Sequence, residues 1–273
     1  SLAGNAAAAG LKTYIFVPSR APKGKVAQLM TFGATVISVQ GSYEETFELS
    51  KQAIEKWGWY NRNAAINPYL SEGKKTVGLE IMEQLGWVVP DYIAISVGDG
   101  CTIAGLWKGL KDLYAIGFID RLPKLISAQA EGCCPLNRAI ETGENWRPME
   151  ENTLADSIAV GVPRNADKAL TAIRESNGLV VNVSDEEIMA AQKLLGRTCG
   201  VFGEPAGVAG TAGLKKLCQQ GKIPLDATVV SVVTGNGLKD VANAIAACGE
   251  PISIPGDMEL LLKAFEDRGI VIA

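Results

Sequence analysis

Short apolar runs alternate with amphipathic helical patterns along most of the chain. The run at residues 92–97 has the length and the β-branched content of a buried strand. Similar runs predict strands at residues 13–17, 35–39, 124–128, 179–183 and 228–233. Helical patterns with short connections separate these runs, so we expect parallel strands joined by right-handed crossovers. The pattern predicts an α/β protein with open, mainly parallel sheets.

Helices are predicted between these strands and at both ends of the chain. Their predicted ranges are 25–32, 43–56, 71–85, 103–113, 135–141, 166–176, 185–196, 208–220, 239–247 and 258–268. Residues 1–10 are interpreted as the last turns of a helix that ends at Gly10, which suggests that the sequence begins inside a domain. Ser71 and Ser184 are the predicted N-caps of their helices. A short strand is predicted at residues 270–272.

Composition narrows the class of protein. The 273 residues are 47% hydrophobic and 21% charged and include 30 glycines, which is typical of a globular α/β protein. The net charge of −4, without a basic stripe, argues against nucleic acid or an anionic membrane as partner. No apolar run approaches the length of a membrane span. The six cysteines form no CxxC pair, so we expect reduced thiols in a cytoplasmic protein.

The sequence contains no histidine. This excludes Ser-His-Asp and Cys-His nucleophile pairs, His-based zinc sites and an imidazole general base, and no metal site is predicted. Proton transfer would have to come from lysine, carboxylate, tyrosine, a thiol or a cofactor. The absence therefore favours cofactor chemistry.

A glycine-containing turn follows the predicted strand at 92–97. Its residues are Gly98, Asp99, Gly100, Cys101 and Thr102, and a predicted helix follows at once. The unpaired N–H groups and the positive end of the dipole at a helix start form an anion site, and phosphate is its usual occupant. An ordinary tight turn is the alternative interpretation. A P-loop is excluded, because no Gly-Lys-[Ser/Thr] follows the turn.

A second glycine-rich turn, at residues 234–237, follows the predicted strand at 228–233. Ligands of open parallel sheets bind beyond the carboxyl ends of the strands, so both turns can face one ligand. Thr234 would then offer a hydroxyl to a ring nitrogen, or it would only cap the next helix.

Two further interpretations start from single residues. A dinucleotide fingerprint built on Gly98, Gly100 and Glu131 is weak, because Ile103 stands where the third glycine belongs. This leaves a nicotinamide-dependent dehydrogenase as an alternative. Three lysines near helix ends could each form a Schiff base, but they are better interpreted as solvated side chains: Lys74, Lys75 and Lys239.

An ordered set of motifs resembles the threonine synthases, which are fold-type II pyridoxal-phosphate enzymes of the tryptophan-synthase β superfamily. The motifs are N-P-Y-L-S-E-G-K-K-T at 67–76, V-G-D-G-C-T-I at 97–103, G-E-P-A at 203–206 and V-T-G-N-G-L-K-D at 233–240. Residues 18–28 resemble the small domain of that family, and the resemblance runs from residue 1 to about Ala247.

The resemblance implies a fold and a binding site. The fold would be two three-layer αβα domains, with residues 1–62 in a small mobile domain and 63–273 in the cofactor domain. Residues 98–102 would cradle pyridoxal 5′-phosphate, and Thr234 would hydrogen-bond its ring nitrogen. Asn67, Pro68 and Tyr69 would lie near the amino-acid substrate.

The resemblance also implies an activity. A cytoplasmic, homodimeric lyase of threonine biosynthesis would convert O-phospho-L-homoserine and water to L-threonine and phosphate. Related enzymes stay open as alternatives: threonine or serine dehydratase, cysteate synthase and diaminopropionate ammonia-lyase.

Two departures from the family pattern accompany these expectations. The family's Schiff-base lysine and its Ser-Thr-Gly-Asn loop lie upstream of the segment that resembles residues 1–10, and neither is carried over to this sequence. A catalytically incomplete fragment that binds phosphate-bearing ligands is therefore a further alternative. Around the N-P motif, Ala64, Ala65 and Leu70 stand where many threonine synthases have Asn, Ser and Arg.

Overall fold

The computed structural model describes residues 1–63 and 66–271, which form two parallel sheets surrounded by helices. The elements of the first part are α1 (Leu2–Ala8), β1 (Tyr14–Pro18), α2 (Lys23–Thr31), β2 (Thr35–Val39) and α3 (Tyr43–Trp57). β1 and β2 pair in parallel, with Tyr14 opposite Thr35. α3 packs against β1 and α2 against β2. Short connections thus produce the expected β-α-β-α unit.

The second part carries the larger sheet. Its elements are α4 (Pro68–Lys74), α5 (Thr76–Gln84), β3 (Tyr92–Ser96), α6 (Cys101–Ala115), β4 (Lys124–Ala130), α7 (Pro135–Thr142), α8 (Ala166–Glu175), β5 (Leu179–Val183), α9 (Asp185–Cys199), α10 (Pro205–Gln219), β6 (Val229–Val232), α11 (Val241–Cys248) and α12 (Met258–Asp267). The strand order is β5-β4-β3-β6, and every pair is parallel.

β3 is buried along its whole length, and its alternating side chains divide the core into two layers. Ile93 and Ile95 pack with residues of α5, α6 and α8, whereas Ala94 packs with residues of α9 and α10. Helices therefore cover both faces of the sheet, as a parallel sheet requires. The larger unit is a three-layer αβα arrangement, and the predicted fold class is confirmed.

Six of the seven predicted strands form, with small shifts at their ends. The predicted domain boundary between residues 62 and 63 falls in the connection between the two sheets, and the boundary itself stays a prediction. Ala64 and Ala65 lie outside the described residues.

The single helix predicted at residues 71–85 is wrong. Two helices, α4 and α5, meet at Lys75 instead, and the N-cap of the first is Asn67 rather than Ser71. The side chain of Asn67 accepts a hydrogen bond from the Tyr69 N–H. The junction packs closely on α6, since a Cβ on Gly109 would lie only 2.4 Å from the Lys75 carbonyl oxygen. Tertiary packing therefore breaks a pattern that looked continuous.

Two expectations near the end of the chain also need correction. The helix predicted at 239–247 begins as a 3-10 turn, Gly237–Asp240, and Asp240 then caps α11. Ile270 and Val271 belong to no strand, and Ile272 lies outside the described residues. Within the described ranges, no helix combines the length and apolar character needed to cross a membrane.

Candidate functional site

The turn at residues 98–102 joins the buried strand β3 to the start of α6. Gly100 is the N-cap of this helix and has a φ of 82°, a left-handed conformation that favours glycine. Gly98 has no room for a side chain, since a Cβ there would lie 2.9 Å from the Ile158 Cα. The first N–H groups of a helix have no acceptor within it. The turn thus presents backbone donors and the positive end of a 15-residue helix.

The side chain of Asp99 is engaged by protein groups. The Tyr43 hydroxyl donates to Asp99 Oδ2 at 3.2 Å, and the Arg164 N–H donates to Oδ1 at 3.0 Å. Burial raises the pKa of Asp99 above its usual range, and these two hydrogen bonds oppose that rise. The Asp99 carboxylate therefore ties α3 of the first part to the turn.

Buried polar residues beneath the turn were missed by the sequence analysis. Gln129 Nε2 donates to the Val97 carbonyl at 3.2 Å, and the Asn137 N–H donates to Gln129 Oε1 at 2.8 Å. The Ser127 hydroxyl donates to Asn137 Oδ1 at 2.7 Å. All three polar side chains are buried completely. Polar residues within and after an otherwise apolar strand were the signal that could have identified them.

The two glycine-rich turns line one cavity of about 320 Å³. β6 lies beside β3 in parallel, so Thr234 and the 98–102 turn meet at the carboxyl edge of the sheet. The described residues that line the cavity are Leu70, Lys74, Ser96, Val97, Gly98, Asp99, Gly100, Cys101, Thr102, Ile103, Ser157, Ile158, Glu204, Ala206, Thr234 and Lys239. All six residues proposed for the cofactor are among them.

Glu204 forms a second wall of this cavity. It is the N-cap of α10, and its N–H donates to the Gly235 carbonyl at 2.9 Å. A Cβ on Gly235 would lie 2.0 Å from Glu204 Oε1, so the carboxyl group lies directly against the 234–237 turn. Lys25 Nζ lies 3.1 Å from Glu204 Oε2. The sequence analysis quoted residues 203–206 only as a motif of the resemblance and gave this carboxylate no role.

Two of the three lysines considered from the sequence line the cavity. Lys74 and Lys239 do so, whereas Lys75 lies outside the lining and pairs with Glu72 at 3.1 Å and Asp112 at 3.4 Å. The charge of Lys74 acts to lower the pKa of Asp99, against the larger effect of burial. Lys74 is half-buried and Lys239 is exposed, so both can be solvated while they line the cavity.

The residues predicted near the substrate do not line the cavity in the described part of the chain. The Asn67 side chain caps α4 and donates to the Tyr60 hydroxyl at 2.9 Å, and Tyr69 is 70% exposed. Leu70 and Lys74, from the same helix, line the cavity instead.

The acidic residue that the dinucleotide interpretation requires does not line the cavity. Glu131 follows β4 but lies outside the cavity lining, and its Oε1 is 3.2 Å from Lys216 Nζ. Glu131 is thus occupied by an ion pair away from the glycine turns.

In the part of the chain that the structure describes, no disulfide joins the cysteines. Burial raises the pKa of Cys133 to about 11, which keeps its thiol protonated.

The backbone donors of the 98–102 turn can therefore bind an anion at one wall, and the Thr234 hydroxyl can bind an uncharged polar atom at another. The sequence model of the family described as "Pyridoxal-phosphate dependent enzyme" matches residues 1–235 of this chain. The chain belongs to this family. Pyridoxal phosphate is the cofactor of the family, and it carries a phosphate and a ring nitrogen that suit these two walls.

Within the pyridoxal-phosphate-dependent enzymes, the chain belongs with the threonine synthases. It is 42% identical over 270 residues to the threonine synthase of Methanocaldococcus jannaschii, covering 98% of this chain and 66% of the relative. It is 36% identical to that of Mycobacterium tuberculosis, covering 94% of this chain and 70% of the relative. The chain spans 64 to 66% of the length of the first three curated relatives.

Solved structures support the same fold. Serine racemase from Dictyostelium discoideum is 26% identical with a TM-score of 0.67, covering 86% of this chain and 72% of the other. Diaminopropionate ammonia lyase from Escherichia coli is 18% identical with a TM-score of 0.74, covering 90% of this chain and 66% of the other. The second likeness concerns the fold alone.

Proposed function

We propose that the 98–102 turn binds the phosphate of pyridoxal 5′-phosphate. The left-handed Gly100 and the start of α6 support this, because backbone donors can approach an anion closely where no Cβ intervenes. Thr234 would hydrogen-bond the ring nitrogen from the opposite wall of the same cavity. That both turns line one cavity is the observation that carries the proposal.

The bound cofactor supplies an electron sink for negative charge that develops on a substrate carbon, and the protein supplies orientation. A neutral Thr234 hydroxyl would leave the ring nitrogen largely unprotonated, which favours elimination and replacement reactions at the β and γ carbons. Lys74 and Lys239 place positive charge in the lining, where it would attract an anionic amino acid.

The proposed activity is that of a threonine synthase: O-phospho-L-homoserine and water give L-threonine and phosphate. The relatives named threonine synthase, which are 42% identical to the chain over 270 and 261 aligned residues, support the proposal. A small amino-acid substrate and a role as a lyase in threonine biosynthesis belong to it.

A dehydratase or ammonia-lyase is the second candidate, and Leu70 favours it. This apolar side chain lines the cavity where many threonine synthases have an arginine. An apolar group cannot bind a substrate phosphate, so a substrate without a phosphate would fit this wall better.

Product analysis distinguishes the two candidates. With pyridoxal phosphate supplied, the protein is expected to release phosphate and L-threonine from O-phospho-L-homoserine. Release of ammonia from L-threonine or L-serine instead would favour the dehydratase. If neither occurs while pyridoxal phosphate still binds, a non-catalytic ligand-binding fragment becomes the better description.

The Thr234 hydroxyl is tested with two variants. Thr234→Val removes the hydroxyl but keeps the shape, and is expected to lower kcat/KM about tenfold. Thr234→Ser keeps the hydroxyl and should stay close to wild type. Equal activity of wild type and Thr234→Val would contradict the role of this hydroxyl.

The remaining proposals concern organisation. A cytoplasmic homodimer, and a small domain at residues 1–62 beside a cofactor domain at 63–273, rest on the family resemblance and on the separate sheets. Light scattering after gel filtration tests the dimer, cell fractionation tests the location, and limited proteolysis around residue 62 tests the boundary.

A further inference from the structure

Lys25 reaches the cavity wall from α2, in the first part of the chain. Its ammonium lies 2.8 Å from Ser157 Oγ, 3.1 Å from Glu204 Oε2 and 3.5 Å from Asp156 Oδ2. Ser157 and Glu204 both line the cavity, but they come from distant segments. One side chain thus joins α2 to two separate parts of the wall.

The first turn of α2 lies beside the cavity wall. A Cβ on Gly24 would lie 3.6 Å from the Leu238 carbonyl oxygen, so the first turn of α2 lies beside the 3-10 turn that follows the 234–237 turn. The Lys25 side chain is 24% exposed, and that of Glu204 only 7%. The pair is therefore largely withdrawn from water. In such a low-dielectric environment the electrostatic effect of each charge extends farther than it does in water.

Within residues 1–63 and 66–271, Lys25 is the only cation in ion-pair distance of Glu204. Without it, the charge of the Glu204 carboxylate would be unpaired in the cavity of about 320 Å³ that the 98–102 turn also lines. Such a charge would repel an anion at that turn, whereas the paired carboxylate is neutralised.

We infer that Lys25 is a positioning residue of the cofactor cavity, which neutralises Glu204 and thereby makes the cavity selective for phosphate-bearing ligands. This inference rests on the proposed binding of pyridoxal phosphate. It assigns to α2 a role in setting the charge of a site whose other residues belong to the second part of the chain.

The test measures binding rather than turnover. The probes are pyridoxine 5′-phosphate and pyridoxine, which share the ring, lack the reactive aldehyde and differ by the phosphate. Isothermal titration of wild type, Lys25→Met, Lys25→Arg and the double variant Lys25→Met/Glu204→Gln gives their dissociation constants. Lys23→Met, on the same helix, is the matched control.

We expect Lys25→Met to weaken pyridoxine 5′-phosphate binding about tenfold and to change pyridoxine binding far less. Lys25→Arg should bind like wild type. The double variant should recover most of the lost affinity, because it removes the carboxylate charge together with the ammonium. Recovery distinguishes a charge effect from the loss of a structural contact, which the double variant would not restore.

Two results would overturn the inference. Equal binding by wild type and Lys25→Met would remove Lys25 from the site and leave the proposed cofactor role intact. Failure of the double variant to recover affinity would make Lys25 a structural link only. Absence of pyridoxine 5′-phosphate binding in the wild type would instead overturn the proposed function and this inference together.

Discussion

The two glycine-rich turns of the cavity are built in different ways. The 98–102 turn follows β3, which is buried along its whole length, and Gln129 supports it from below. The 234–237 turn follows β6, the last strand in the described order, whose residues are all only partly buried. Thr234 itself is exposed.

Contacts from outside the sheet stabilise the second turn. The Gly237 N–H donates to the Phe202 carbonyl at 2.9 Å, and Glu204 lies against Gly235. Lys25 in turn pairs with Glu204.

The first turn thus rests mainly on the interior beneath its own sheet, with one contact to α3 through Asp99 and Tyr43, whereas the second depends on charged side chains from distant segments. We expect changes at the first to cost stability and changes at the second to cost ligand affinity.

Gly100→Ala tests the first turn and should have the largest effect. Residue 100 has a φ of +82°, which strains any residue that carries a Cβ. The new Cβ would also lie only 2.6 Å from the Ala169 Cβ. Conformational strain and overpacking together should lower the free energy of unfolding by about 3 kcal/mol, measured in urea. Gly33→Ala is the control, because Gly33 has a φ of +76° but open space around it, and it should cost about 1 kcal/mol. Equal losses would mean that packing at the turn contributes nothing.

Gln129→Met tests the support beneath the same turn. It leaves the Val97 carbonyl and the Asn137 N–H without their buried partner, which should cost about 2 kcal/mol of unfolding free energy. Gln52→Met, on the exposed surface of α3, should stay within about 0.5 kcal/mol of wild type. If both variants unfold alike, the buried network does not stabilise the turn.

Gly235→Ala tests the second turn. Its Cβ would lie 2.0 Å from Glu204 Oε1 and 2.7 Å from Glu204 Cγ, so this buried side chain would have to shift, and stability should fall by about 1 kcal/mol, less than for Gly100→Ala. The displacement should nonetheless separate Glu204 from Lys25 and weaken pyridoxine 5′-phosphate binding about fivefold in a titration. Gly256→Ala, where the new Cβ meets no atom within 4 Å, is the control for affinity. A large loss of stability with unchanged affinity would reverse the contrast between the two turns.

The sequence was sufficient for most of the helices and strands and for the position of the first turn, because these follow from local patterns. Periodicity located β3, and Gly98 and Gly100 marked the close approach at its end. It was insufficient where distant segments meet. Nothing local pairs Lys25 with Glu204, and the break at Lys75 arises only when α4 and α5 pack on the glycines of α6.

Asp99→Asn probes the link between the two parts of the chain, and its effect should be the smallest. Because burial raises the pKa of Asp99 in the folded protein, the folded state holds this proton to a higher pH than the unfolded state, whose pKa is near 3.8. The free energy of unfolding therefore falls as the pH rises from about that value through the raised pKa, and this loss remains at higher pH. An asparagine cannot ionise, yet its amide can still accept from the Arg164 N–H and contact the Tyr43 hydroxyl. The stability of Asp99→Asn relative to wild type should consequently increase with pH across the acidic range and then level off, as measured by urea unfolding at a series of pH values. A relative stability that decreases with pH would mean that the two hydrogen bonds outweigh burial and that Asp99 is held as a carboxylate.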